Sequence, residues 1–159
     1  MKNLLLLLFI PFSITSSAQV TSVIPQEANT FYNHAMRTIK PVIKEIVQKN
    51  ALLLRGRKIN SDSLSKALHN EKLLKNASQH DAEAIAVLIM VQVSRNADAD
   101  LKYLVVNMHK KGDSSDGISD NSSGEVETIM ANKSLIAENV SLAMKKMPAL
   151  PERILDNLR

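Results

Sequence analysis

Cysteine is absent from the 159 residues, so no disulfide can brace the fold, no thiol can act as nucleophile or metal ligand, and a lipid-anchored cysteine is excluded. Tryptophan is absent too, and aromatic residues make up 3% of the chain. With so few aromatics, the apolar content must come from Leu, Ile, Val, Ala and Met, which suits a helical core better than a sheet. Glycine and proline number only 4 and 5, leaving few positions for tight turns. No motif of four metal ligands, no G-x-S-x-G and no repeat of fixed period occurs. What is present is a hydrophobic fraction of 45%, enough for a folded core.

The segment Ala82–Val93 is apolar all round, broken only by Glu83 and Gln92. A helix without a polar face must be covered on every side, so the pattern predicts an all-α fold: an irregular helical bundle of four to six helices around a central apolar helix (82–93). Ser78-x-x-Asp81 has the spacing of a capping box and predicts where that helix begins. The spacing of Met90, Ala97, Leu101, Leu104 and Met108 lets it continue to His109, while the polar stretch Asn96–Asp100 allows a break.

On the N-terminal side, Ala28, Phe31, Tyr32, Ala35, Ile39, Val42, Ile43, Ile46 and Leu53 form one stripe. Its unbroken phase favours a single helix kinked at Pro41 over two segments. Gly56 is placed to end that helix in the left-handed region, and a helix from Asn60 or Ser61 to about Ala77 follows. On the C-terminal side, residues 112–124 are rich in Gly, Ser and Asp and predict a mobile polar loop. Ser122-x-x-Glu125 reads as a second capping box opening a helix over 125–147, and Pro151 suits the first turn of a short terminal helix.

Residues 1–18 have the form of a signal peptide: Lys2, the apolar run Leu4–Ile10, and small residues at Ser16–Ala18 before Gln19. Pro11 interrupts the run well short of the roughly 20 residues a spanning helix needs. The expected product is therefore exported and soluble, with no stable membrane anchor, and a single α-helical domain occupies 19–159. Export without cysteine points to a bacterial source and to the periplasm or medium. Four Asn-x-Ser triplets, at Asn76, Asn121, Asn132 and Asn139, would matter only in a eukaryotic secretory pathway.

The chain carries 20 Lys+Arg against 16 Asp+Glu. Removing the leader leaves about +3, too little to predict nucleic-acid binding, and no aromatics are interleaved to stack bases. The four histidines include no i,i+4 pair, and His80-x-x-Glu83 is the nearest approach to ligand spacing. Neither Asp113 nor Asp116 starts a register that meets the EF-hand pattern. No catalytic residue, cofactor or metal site is assigned, and the expected function is that of a non-catalytic protein-interaction module acting on another protein or on itself. The alternative is a carrier that binds an apolar small molecule within the bundle.

Two surfaces are candidates. On the last long helix a second apolar line of Ala131, Leu135 and Leu142, flanked by Lys145 and Lys146, predicts a partner face unless the terminal segment covers it. Arg55, Arg57 and Lys58 form the tightest basic cluster and could contact an anion, although basic residues also suit a helix C-terminus.

Overall fold

A computed structural model describes residues 23–57, 59, 60, 64, 68, 78–112 and 120–147. The expected signal peptide, most of the helix over 61–77, residues 113–119 of the polar loop and the terminal helix lie outside the described residues. Within them the protein is all-α, with no strand. Four helices are bounded among the described residues: α1 (Gln26–Thr38), α2 (Pro41–Leu53), α3 (Gln79–Gly112) and α4 (Asp120–Lys146). No helix among them is long and apolar enough to cross a membrane.

The N-terminal stripe folds as two helices, correcting the expectation of one kinked helix. Lys40 is extended, with ψ 142°, because the pyrrolidine ring of Pro41 crowds the helical conformation of the residue before it. Pro41 itself opens α2 at N1, where no N–H is needed. Ile39 closes α1 with its N–H on the Ala35 carbonyl at 2.9 Å. The stripe keeps its phase across the break at Ile39, Ile43 and Ile46, which all turn into the core, whereas Val42 and Leu53, expected in the same stripe, are exposed. Gly56 follows α2 at φ +73°, the left-handed position expected of it. Leu64 and Leu68, from the segment expected to be helical, are in helical conformation and buried.

The capping box at the start of α3 is formed. Ser78 Oγ accepts from the Asp81 N–H at 3.1 Å, and Asp81 Oδ2 accepts from the Ser78 N–H at 3.1 Å. From there α3 runs unbroken for 34 residues, about 51 Å at 1.5 Å per residue, through the polar stretch where a break was possible. Between Ala82 and Val93 every residue is buried except Glu83 and Gln92, which are half-buried. This stretch lies in the same hydrophobic cluster as Phe31, Val47, Leu68, Ile136 and Val140, and α3 packs against all three other helices.

Helix α4 begins at Asp120, not Glu125, so residues 120–124 are helical and the expected loop is shorter at its C-terminal end. The Ser-x-x-Glu spacing also fits a helix interior, and a glycine such as Gly124 costs only about 1 kcal/mol there. Thr128 Oγ1 donates to the Gly124 carbonyl at 2.8 Å, an i to i−4 bond of that interior. α3 and α4 lie antiparallel: Lys133 is ion-paired with Asp98, while Ile136 and Val93 line the same groove.

Burial along this hairpin is uneven. Beyond Ser94 no described side chain of α3 is buried, and before Ile136 none of α4 is. About 27 Å of α3, from Arg95 to Gly112, thus continues past the last of its buried residues.

Candidate functional site

A polar belt lies at the outer end of the enclosed stretch of α3. Arg95 stacks over the Tyr32 ring at 4.2 Å and donates to the side-chain carbonyls of Asn29 at 3.2 Å and Asn33 at 2.9 Å. The Tyr32 hydroxyl donates to Gln92 Oε1, and Gln92 donates onward to Asn96 at 2.9 Å. Burial pushes the Tyr32 phenol above its ordinary range, and the Arg95 charge opposes this only in part. The belt fixes α1 against α3. Its sequence signal was available in Asn29 and Asn33 one turn apart, but nothing in either helix alone says that they face Arg95.

Immediately outward, α3 and α4 enclose an open groove of about 730 Å³, within the size range of ligand sites. Val93, Ala97, Leu104, Ile129 and Ile136 form its apolar floor, and Tyr103 stands at its edge, 69% exposed. One wall is the turn after α2, which brings Arg55, Gly56 and Arg57 to the groove. Asn132 Nδ2 donates to the Gly56 carbonyl at 3.4 Å, placing that turn level with Asn132 on α4.

Two residues of the basic cluster, Arg55 and Arg57, stand at this groove. Arg55 makes a two-pronged contact with Asp100, Nε to Oδ2 at 2.8 Å and Nη2 to Oδ1, while its side chain stays 57% exposed. The hydrogen bonds to Asp100, reinforced by its charge, hold the Arg55 pKa above the ordinary value. Arg57 lines the groove, exposed and without an ion pair among the described residues, and Lys58 lies outside them. Glu125, also exposed and unpaired among the described residues, lines the outer part of the groove.

The expected partner face borders the groove on α4. Ala131, Leu135, Leu142, Lys145 and Lys146 are all exposed, Leu135 at 39% and Leu142 at 47%. At 100° per residue the line of Ala131, Leu135 and Leu142 turns away from the buried side of the helix, at Ile136 and Val140, but falls on the same side as Gly124 and Thr128, which line the groove, all five positions lying within about 60°. The apolar line therefore adjoins the edge of the groove on α4. The terminal segment that could cover the apolar line is outside the described residues.

His80 and Glu83 approach to 3.6 Å at the exposed start of α3. Among the described residues no group of three or more His, Cys, Asp or Glu side chains is arranged to hold a metal ion. Asp81 Oδ1, buried beside the capping box, has no hydrogen-bond partner among the described residues. No family model, curated protein or solved structure matches the chain.

Proposed function

We propose that the protein is an exported, non-catalytic interaction module. In this reading a single bundle of four to six helices, centred on 82–93, supports the α3–α4 hairpin as a partner-binding arm. The observation that carries the reading is the contrast along α3: twelve residues of nearly complete burial, then a long extension with no buried side chain beyond Ser94 among those described. Single exposed apolar residues are ordinary on any protein surface. Here, however, Tyr103, Val106 and Met130 are exposed together on the outer halves of two helices with little else to stabilise them, and Leu135 and Leu142 carry the exposed apolar surface of α4 on beside the core. Two isolated helices gain little from propensity alone and depend on packing of an apolar face, so a partner that supplies that packing fits.

The face Ala131, Leu135 and Leu142, with Lys145 and Lys146 at its end, is the proposed contact. Fully burying a leucine contributes about 1.5 to 3 kcal/mol, so Leu135→Asp with Leu142→Asp should weaken association at least about a hundredfold. The thermal midpoint of the isolated protein should stay close to that of wild type, because both side chains are already partly in water. The check is binding of both proteins to an immobilised partner, isolated from the fluid of the compartment to which the protein is exported. A double variant that unfolds, or binds undiminished, defeats this assignment.

A second reading, a carrier of an apolar small molecule, is favoured by one observation, the apolar floor of the groove between α3 and α4. Native mass spectrometry of freshly purified protein separates the two: a co-purifying apolar ligand supports the carrier, and a clean protein mass supports the module.

A further inference from the structure

From the charges and register of the groove we infer that it is an isologous interface for a second copy of this chain, the two hairpins pairing antiparallel across a two-fold axis. The inference rests on the reading of the α3–α4 hairpin as an interaction arm and names one occupant for its groove side. Among the described residues four charged side chains line the groove, and Arg55 and Asp100 pair with each other, which leaves Arg57 and Glu125 without an ion pair there. The turn bearing Arg57 is level with Asn132, seven residues and about 10 Å along α4 from Glu125. A groove with an unpaired cation towards one end and an unpaired anion towards the other is self-complementary under a two-fold rotation. Arg57 of each copy then meets Glu125 of the other, and the same contact forms twice.

The residue at the axis fits as well. The Asp98–Lys133 pair fixes the register of the hairpin, and five residues further along each helix Tyr103 lies opposite Thr128. Thr128 is midway between Glu125 and the Asn132 level, so the axis passes near Tyr103, which is 69% exposed. A residue at a two-fold axis meets its own copy, and two tyrosine rings can pack offset there while their hydroxyls remain wet. The outer hairpin presents two helices about 10 Å wide over about 27 Å, so pairing would bury on the order of 1,000 Å² in total, at the threshold for a specific interface. A weak, salt-sensitive dimer is the expected strength.

The test is charge reversal in the full chain, read by sedimentation equilibrium up to about 100 µM, a range that detects weak pairing. Wild type should dimerise. Arg57→Glu and Glu125→Arg should each weaken the dimer at least about tenfold, since each replaces two attractive contacts with two repulsive ones. The double reversal should restore wild-type affinity, and an equimolar mixture of the two single variants should form a heterodimer tighter than either homodimer. Far-UV circular dichroism unchanged from wild type shows that both exposed substitutions leave the fold intact. A strictly monomeric wild type, a dimer indifferent to the reversals, or a mixture with no preference for the heterodimer overturns the proposal. If self-pairing fails while Leu135→Asp with Leu142→Asp still abolishes capture of a partner, the interaction-module reading stands without it; if both fail, the arm is not an interaction surface.

Discussion

Replacing Ile89 by aspartate is expected to abolish cooperative folding. Ile89 has no exposed surface, and its neighbours from Ile85 to Val91 are equally enclosed apart from a trace at Ala86. A carboxylate introduced there has no cation to pair with among the buried residues described, and a carboxyl forced neutral still lacks hydrogen-bond partners. Either way the cost is several kcal/mol, comparable with the ~5 to 15 kcal/mol by which a domain is stable at all. Ile89→Val, which removes one methylene, should cost only about 0.5 to 1.5 kcal/mol and serves as the control. The check is far-UV circular dichroism with thermal and urea unfolding. A soluble Ile89→Asp protein with a sharp transition would show that Ala82–Val93 is not enclosed.

The second large effect is expected at Leu68. It is 1% exposed and belongs to the same hydrophobic cluster as Val47, Ile89 and Val140, although few of its sequence neighbours are described. Leu68→Ala should destabilise by about 2 to 5 kcal/mol, combining lost transfer energy with the cavity left behind. The urea midpoint should fall while its slope is unchanged, since the surface exposed on unfolding is nearly the same. A loss below about 1 kcal/mol would place Leu68 outside the core.

How much of this was legible in the sequence follows the range of the forces involved. The enclosed stretch from Ala82, the Ser78–Asp81 box and the left-handed Gly56 depend on residues within a turn or two, and each was readable locally. The break at Pro41 was misread because the hydrophobic stripe records which side faces the core, and two successive helices can keep the same side. The early start of α4 was missed because Asn121–Gly124 has turn-like composition, a preference of a few tenths to one kcal/mol per residue that a long helix overrides.

The groove was not legible at all. Arg55 and Arg57 follow α2, Asp100 is on α3 and Asn132 on α4, and only the packing of three helices brings them together. The basic cluster was visible as residues, but the pairing of Arg55 and not, among the described residues, of Arg57 depends on Asp100, 45 positions from Arg55. By contrast the line of Ala131, Leu135 and Leu142 was readable from helical periodicity, and its exposure on α4 agrees with that periodicity.

The central claim is that the core ends near Ser94 and Ile136 and that the hairpin beyond it is an uncovered arm. Amide hydrogen exchange of the native protein at low micromolar concentration, where weak pairing is absent, tests this most directly. The account predicts the slowest exchange from Ala84 to Val93, and exchange at least about a hundredfold faster from Leu101 to Asn107, on the same helix. Uniform protection along the whole of α3 in the dilute monomer would contradict it, because the outer half would then be covered by the chain itself and no arm would remain for a partner.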